Sequence, residues 1–306
     1  MKTLVICICT YNRNKSLSTC LESIAKLNNP TKIEIKILII DNTKNFQSFS
    51  HIKKTKKKFK YKVIQINEVK RGVVYARNKA LKKLRYLNPE YVSFIDDDCT
   101  INKSWLTNIF KIVKKNKADI VTGPQIYSEN KKKINYTKYF EKKYNQNITK
   151  VKWAATNNVF FSYNIIKNKN LIFDKMLNKF GMGEDQLFFS KLHKKGYKIY
   201  WSKNVKVYEK NHDHRSNILW LIKRSYRLGV LGYYIDKKLY GVLNGYFVNY
   251  LKSIFYFLKV FTFIFTIFNK NSRIKIINFL FRFFGRLVGP LIFNKIDFLE
   301  NDIKSK

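Results

Sequence analysis

The chain has 306 residues, with 61 Lys and Arg against 20 Asp and Glu, which gives a formal net charge of +41. Because 45% of its residues are hydrophobic and 16% are aromatic, it is not a disordered polycation, and its 11 Gly and 4 Pro exclude collagen-like and low-complexity classes. The charge alone leaves three interpretations open: a nucleic-acid-binding protein, a compositional bias spread over the surface, or contact with an anionic membrane.

The first half of the chain alternates short apolar runs with segments in which apolar residues recur at helical spacing. This alternation predicts an α/β fold with a mainly parallel sheet covered by helices on both faces. Since such sheets bind ligands at the carboxyl ends of their strands, Asp41 and Asp96–Asp98 are candidate site residues. The predicted strands of this half are Leu4–Cys9, Ile35–Ile40, Tyr61–Ile66, Tyr91–Ile95 and Asp119–Thr122.

The cysteines and the amino-terminal residues bear on the cellular compartment. Cys7, Cys9, Cys20 and Cys99 show no paired CxxC spacing, so buried reduced thiols are favoured over disulfides or a zinc site. Reduced thiols are typical of the cytosol. The first apolar run is shorter than the hydrophobic region of a signal peptide, and no small-residue cleavage site accompanies it. We therefore expect a cytoplasmic protein.

The later segments are less regular, and the composition changes after Asp236. A strand is predicted at Trp153–Tyr163, an amphipathic helix at Gln186–Lys194, and one or two strands at Tyr197–Tyr208. The sixty residues Lys237–Ile296 contain ten Lys or Arg, sixteen Phe or Tyr and no acidic residue. We therefore expect one domain over residues 1–235 and a helical tail over residues 236–306.

Three adjacent acidic residues end the fourth predicted strand. Such a cluster is costly unless a cation or hydrogen-bond donors neutralise it. Asp96 and Asp98 form a D-x-D pair that can converge on one divalent ion, and hard oxygen ligands suit Mg²⁺ or Mn²⁺. The alternative is that Asp98 or Thr100 caps the following helix. The metal interpretation is favoured because the chain has so few acids.

A second acidic cluster follows a pair of glycines. Gly181 and Gly183 permit a backbone path that is closed to other residues, and Glu184 and Asp185 then open a helix whose dipole favours negative charge. Capping alone would explain these two acids. Together with a metal site, one of them becomes a candidate general base.

These motifs together resemble those of the family-2 glycosyltransferases with the GT-A fold, above all the subset that resembles the succinoglycan-biosynthesis glucosyltransferases. The resemblance covers roughly residues 1–235, and five ordered motifs are far more specific than any one of them. Those five motifs are Cys9–Arg13, Ile39–Asn42, Arg71–Asn78, Phe94–Asp98 and Gly183–Asp185. The subset's further motifs match at Asp119–Pro124, Thr156–Val159, Phe173–Asp174 and Arg215–Gly229.

The resemblance implies a nucleotide-sugar donor, a divalent metal and a set of residues that bind them. Thr10 and Asp41 would hold the base and ribose of the donor, and Arg77 would lie near the base or the phosphates. Asp96 would contact the ribose or the metal, and Asp98 would bind the metal that bridges the two phosphates. The implied fold is a Rossmann-like, mainly parallel sheet with flanking helices.

The resemblance also implies an inverting transfer. Asp185 would act as the base that takes the proton of the acceptor hydroxyl, and Glu184 would help to bind the acceptor. A further metal or phosphate contact is expected near the end of the domain, where Glu209, His212 and His214 compete for the position. We take His212 as the predicted ligand and leave the other two as alternatives.

The basic, aromatic tail favours contact with a membrane. Ile254–Phe268 is shorter than the ~20 apolar residues that a spanning helix needs. At 100° per residue, Lys275, Arg282 and Arg286 share one face of the next segment, with apolar residues opposite. This pattern predicts an amphipathic helix on an anionic membrane surface. The alternative is a helix packed on the catalytic domain with solvated cations.

The sequence therefore predicts an inverting hexosyltransferase that moves a sugar, most simply from a UDP-sugar, to a lipid-linked or growing polysaccharide acceptor. We expect it to be peripheral at the cytoplasmic face of the cell membrane and not to bind nucleic acid. Two alternatives stay open: a nucleic-acid-binding protein, which would leave Asp96–Asp98 unexplained, and an inactive membrane-associated scaffold on the same fold.

Overall fold

The computed structural model describes residues 2–30, 32–48, 52, 60–127, 135–140, 144–167, 171–210 and 213–298. The chain divides into two compact units. The first comprises Met1–Ser128, Tyr144–Asn178 and Glu184–Lys210, and the second comprises Glu129–Lys143, Lys179–Gly183 and Asn211–Lys306. The expected division at residue 235 stays a prediction.

Among the described residues, the first unit contains an eight-stranded sheet. Its strands are β1 (Thr3–Thr10), β2 (Glu34–Asp41), β3 (Lys62–Asn67), β4 (Tyr91–Ile95), β6 (Ile120–Thr122), β8 (Ile148–Lys150), β9 (Asn158–Ser162) and β10 (Ile199–Ser202). Their order across the sheet is β3-β2-β1-β4-β9-β6-β10-β8. A smaller sheet joins β5 (Cys99–Ile101), β11 (Val207–Glu209) and β7 (Gln125–Tyr127) in that order.

The large sheet is mixed, with the predicted parallel arrangement in its amino-terminal half. Strands β3, β2, β1 and β4 are parallel, as their continuous apolar runs predict. Strand β9 lies antiparallel between β4 and β6, and β8 lies antiparallel on β10. The carboxyl ends of β1, β2 and β4 therefore share one edge of the sheet.

Helices cover both faces of this sheet, as predicted. Successive side chains of β1 alternate between two buried clusters: Leu4 and Ile6 enter one, and Val5 and Cys7 enter the other. Helices α1 (Asn14–Ala25) and α3 (Trp105–Asn116) supply apolar residues to the first cluster. Helices α2 (Val73–Leu87), α4 (Asn164–Lys167) and α5 (Glu184–Lys194) supply the second.

The four cysteines are free thiols, as expected. Cys7, Cys20 and Cys99 are buried and Cys9 is partly buried.

Short 3₁₀ helices occur at Tyr136–Tyr139, Lys175–Phe180 and Asp213–Ser216.

The described part of the second unit is dominated by three helices of 23 residues each: α6 (Ile218–Tyr240), α7 (Val242–Ile264) and α8 (Lys270–Ile292). Helix α6 packs against both α7 and α8. Backbones approach closely where glycines face each other, since a Cβ at Gly229 would lie 2.7 Å from the Cα of Gly285. Within the described residues, α7 is long and apolar enough to cross a membrane by length and composition.

One prediction for the tail is wrong. Arg286 was expected on an exposed basic face of α8, but it is buried and donates hydrogen bonds to Asp236 at 2.8 Å and Asn249 at 2.9 Å. Lys275 and Arg282, predicted on the same face, are partly buried. The polar face packs against α6 and α7, and Phe284 on the opposite face is exposed.

Candidate active site

The three acidic residues after β4 differ in burial and in their partners. Asp97 is buried, accepts a hydrogen bond from the Thr10 hydroxyl at 2.7 Å and pairs with Arg13 at 3.2 Å. Burial raises the pKa of Asp97 to about 6, against the opposing effects of Arg13 and Thr10. Asp96 and Asp98 on either side are less buried. Asp97 is therefore the most buried of the three acids, and Asp96 and Asp98 are more accessible to a ligand than Asp97 is.

Asp98 lies beside an acid that is distant in the sequence. One ligand atom each from Asp98, Cys99 and Glu209 lie within 4.8 Å of one another. The register of the small sheet produces this cluster, because β11 runs antiparallel to β5 and places Glu209 opposite Cys99. Arg13 donates to Asp98 at 2.6 Å, and Gln125 donates to Glu209.

The donor set of this cluster fits a hard divalent cation. Burial raises the pKa of the Cys99 thiol far above its ordinary value, so the thiol stays protonated and is a poor ligand. The carboxylates of Asp98 and Glu209 remain, and oxygen ligands suit Mg²⁺ or Mn²⁺. Of the candidates left open by the sequence, the structure places Glu209 beside Asp98. His212 and the side chain of His214 lie outside the described residues.

Arg77 joins the two acidic motifs into one site. It is buried on α2 and pairs with Glu184, the first residue of α5, and with Asp96 after β4 at 3.4 Å. Asp185 also acts electrostatically on Arg77. The carboxylates raise the pKa of Arg77 above its ordinary value, although burial alone would lower it. Two clusters that lie far apart in the sequence thus share one cation.

Glu184 and Asp185 differ sharply in environment. Burial raises the pKa of Glu184 to about 7; the Arg77 charge opposes this shift, and the Asp185 charge adds to it. In the described part of the chain, the second carboxylate oxygen of Glu184 is buried without a hydrogen-bond partner. Asp185 is half-buried, and its Oδ1 accepts from the backbone N–H of Gln186 at 2.7 Å. Asp185 is therefore the more accessible carboxylate of the two.

The two residues predicted to hold the nucleoside have partners inside the protein. Thr10 donates to Asp97, as described above. Asp41 at the end of β2 is buried, and its carboxylate accepts from the Thr43 N–H at 2.9 Å, the Thr43 hydroxyl at 2.6 Å and the Ser48 N–H at 2.6 Å. These bonds fix the loop that follows β2. Contact of either residue with a donor stays a prediction.

Sequence reasoning assigned no role to several residues that organise the site. Arg13 pairs with two of the three acids after β4. Asn42 accepts from the N–H of Gly72, which has φ +126° and precedes α2, the helix of Arg77. Asn78 exchanges two hydrogen bonds with the backbone of Phe173 at 2.8 and 2.9 Å. Arg13, Asn42, Gly72 and Asn78 all lie in the motifs that carry the resemblance. Their membership of these motifs was the sequence signal that could have identified them.

The fold is that of GT-A glycosyltransferases. The chain superposes on the crystal structure of Staphylococcus aureus TarS residues 1–349 with a TM-score of 0.53 and 20% identity, over 81% of this chain and 72% of that one. It superposes on the mannosyltransferase PcManGT from Pyrobaculum calidifontis with a TM-score of 0.61 and 13% identity, over 94% and 87% of the two chains. That structure contains GDP-Man and Mn²⁺, and TarS 1–349 was also solved with UDP-GlcNAc.

The sequence comparisons define the family. The model of the family described as Glycosyl transferase family 2 matches residues 5–172, more than half of the chain, and the chain belongs to this family. It is 24% identical to the succinoglycan biosynthesis protein ExoM of Rhizobium meliloti strain 1021, over 78% of this chain and 77% of ExoM. It is 31% identical to the poly(ribitol-phosphate) beta-N-acetylglucosaminyltransferase TarS of Staphylococcus aureus strain Mu50, over 40% of this chain and 20% of TarS. The protein is a glycosyltransferase.

Proposed function

We propose that the protein is an inverting hexosyltransferase that moves a sugar from a nucleotide-sugar donor to a lipid-linked or growing polysaccharide acceptor. The observation that carries this proposal is the position of Arg77, paired with both Asp96 and Glu184. It brings a candidate metal site and a candidate base to one edge of the sheet. The catalytic domain would cover residues 1–235.

The charge of the site supports a metal-assisted reaction with an anionic donor. Among the described residues the site contains Asp96, Asp97, Asp98, Glu184, Asp185 and Glu209, and Arg13 and Arg77 are cations that pair with some of them. This excess of negative charge repels a diphosphate unless a cation is present. Asp98 and Glu209 would hold Mg²⁺ or Mn²⁺, with Asp96 beside them. When bound, such an ion offsets the charge that develops on the leaving nucleoside diphosphate.

Asp185 would act as the general base. Its carboxylate takes the proton of the acceptor hydroxyl while the hydroxyl oxygen bonds to the anomeric carbon and the bond from that carbon to the diphosphate breaks. Attack on the face opposite the leaving group inverts the configuration, so no covalent enzyme intermediate is needed. The half-buried position of Asp185 at the start of α5 supports this role.

Glu184 is better suited to positioning than to acceptor binding. It is buried against Arg77, which gives it little access to a sugar hydroxyl. The pair would fix the start of α5, and therefore the carboxylate of Asp185, relative to Asp96. A positioning role replaces our expectation of direct acceptor contact in this proposal.

The donor would lie across the ends of β1, β2 and β4. Thr10, Asp41, Arg77 and Asp96 would surround its nucleoside and phosphates. His212 lies outside the described residues, and its assignment as a metal ligand stays a prediction. A UDP-sugar is the favoured donor class because TarS, a member of the same fold class, was solved with UDP-GlcNAc. A polysaccharide acceptor is favoured because the relative ExoM is a succinoglycan biosynthesis protein.

We also propose that the protein works at the cytoplasmic face of the cell membrane. The support is the acid-free stretch Lys237–Ile296 with its ten Lys or Arg, which favours anionic lipids. A lipid-linked acceptor would be within reach of an enzyme at that surface.

A thermal-shift screen of UDP-, GDP- and dTDP-sugars with and without Mn²⁺ tests the proposed donor. A donor at about 100 times its Kd stabilises the folded state by about 2.7 kcal/mol. We expect one nucleotide class to raise the midpoint only when Mn²⁺ is present. Hydrolysis of that donor by the wild-type protein would exclude an inactive scaffold. If no nucleotide-sugar raises the midpoint under either condition, the proposal is wrong.

A further inference from the structure

Helix α6 buries apolar residues such as Val230 and Leu231, but the faces that α7 and α8 bury consist mainly of small and polar residues. The buried residues of α7 are Gly245, Asn249 and Ser253, which recur at every fourth position and form one narrow stripe. The buried set of α8 is also dominated by small and polar residues, namely Ser272, Asn278, Gly285, Arg286 and Gly289, together with Ile274.

These buried polar groups form a connected network. Asp236 on α6 pairs with Arg286 at 2.8 Å and with Lys252 at 2.6 Å. Asn249 accepts from the Arg286 guanidinium at 2.9 Å and donates to the Arg286 carbonyl at 3.0 Å. Helices that associate inside lipid use such hydrogen bonds and small residues at their contacts, because apolar side chains gain little there by leaving the lipid.

The exterior of α7 is apolar over most of its circumference. Ile254, Phe255, Phe257 and Leu258 are all exposed, although they point in widely different directions around one turn. The exposed apolar surface continues past the helix end, where Phe265 is 90% exposed and Phe268 is 95% exposed. Soluble monomers rarely expose a contiguous apolar patch larger than a few hundred Å². Something apolar must therefore cover this surface.

The shape and charge of this surface indicate whether lipid or a second protein chain covers it. A second copy of the chain would cover one side of α7 and leave exposed the residues that point elsewhere around the turn, whereas lipid covers every side. Lys237–Ile296 contains ten cations and no acid, so two copies would also repel each other while anionic headgroups would attract both. A helix of 23 residues is about 34 Å long, close to the ~30 Å thickness of the hydrocarbon core.

We propose that the exposed apolar face of α7, together with the turn that contains Phe265 and Phe268, is embedded in the hydrocarbon of an anionic bilayer. The polar stripe on Gly245, Asn249 and Ser253 stays turned toward the rest of the unit. This inference deepens the proposed membrane location. Insertion of α7 into the hydrocarbon, and not the charge of α8, holds the protein at the membrane. It does not depend on sugar transfer.

Flotation of the full chain with vesicles of phosphatidylcholine and phosphatidylglycerol tests the inference. We expect the wild type to float with the vesicles and to stay bound in about 1 M NaCl, where the Debye length is about 3 Å. The double variant Ile254→Glu with Leu258→Glu should lower the bound fraction about tenfold or more, because both exposed side chains would leave the hydrocarbon.

The matched control is Tyr86→Glu with Ile172→Glu, which changes the net charge by the same amount at exposed apolar residues of the first unit. Its bound fraction should stay within about twofold of the wild type. Equal losses in both double variants, or release of the wild type by salt, would overturn the inference. Light scattering that shows a salt-resistant dimer which does not bind vesicles would also overturn it. The partner of this surface would then be a second copy of the chain. Donor-induced thermal shifts report separately on the transferase site.

Discussion

The two units of the molecule arrange polar residues in opposite ways. The first unit has apolar clusters on both faces of its sheet and collects its acids at one edge, where Arg77 and Arg13 hold them. The second unit buries Asp236, Asn249 and Arg286, and it exposes large aromatic side chains such as Phe265 and Phe268. If lipid covers the second unit, as we propose, this difference follows from the surroundings, because apolar side chains gain little there by leaving the lipid. In the first unit the paired charges lie at the proposed active site, and in the second unit they join neighbouring helices.

The largest expected effect on stability comes from the buried arginine of the first unit. Arg77→Met leaves Glu184 buried without its cation, so the free energy of unfolding should fall by about 3–5 kcal/mol. Adding Glu184→Gln should restore part of the loss. Chemical denaturation measures both, with Arg85→Met, an exposed position on the same helix, as the control. A loss as small as that of the control would show that the Arg77–Glu184 pair does not stabilise the first unit.

A smaller loss is expected for the buried arginine of the second unit. Arg286→Met removes the pair with Asp236, but Lys252 still holds that carboxylate at 2.6 Å. We therefore expect destabilisation of about 1–3 kcal/mol, measured in the presence of the phosphatidylglycerol vesicles. The sharper control is Arg286→Met with Lys252→Met, which should cost more than the single change. A larger loss of stability in Arg286→Met than in Arg77→Met would contradict the expected order of the two variants.

The acids at the edge of the first unit should control donor binding more than stability. Glu209→Gln keeps the hydrogen-bonding shape but removes a candidate metal ligand, so Mn²⁺-dependent binding of UDP should weaken about tenfold or more. Calorimetric titration measures this affinity. The control is Glu90→Gln, an exposed acid beside Lys2. Unchanged affinity in Glu209→Gln would remove Glu209 from the metal site.

We also expect a pH dependence of stability that arises from Glu184. Its pKa is raised from 4.5 to about 7 in the folded protein, so the folded state binds the proton more tightly than the unfolded state. The associated stability is complete below pH 4.5 and is lost as the pH rises toward 7, by up to about 1.4 kcal/mol per pH unit. Denaturation across this range should show a flatter profile in Glu184→Gln. Parallel profiles of the variant and the wild type would contradict the assignment.

Local patterns predicted the parallel half of the sheet, because a strand buried on both faces must be a continuous apolar run such as Ile35–Ile40. The position of β9 between β4 and β6 depends on long-range pairing, which no local pattern records. The same limit applies to Glu209, which reaches Asp98 only through the pairing of β11 with β5. Periodicity could not say which face of α8 contacts protein, so Arg286 was misplaced.

We propose that one edge of the sheet carries out sugar transfer with Asp185 as the base. The most direct test of this proposal is the transfer rate of Asp185→Asn beside its affinity for the donor with Mn²⁺. We predict a rate lower by about 10²–10⁴-fold with an unchanged Kd, because the amide cannot accept the proton. Transfer at the wild-type rate, or loss of donor binding together with activity, would contradict the claim.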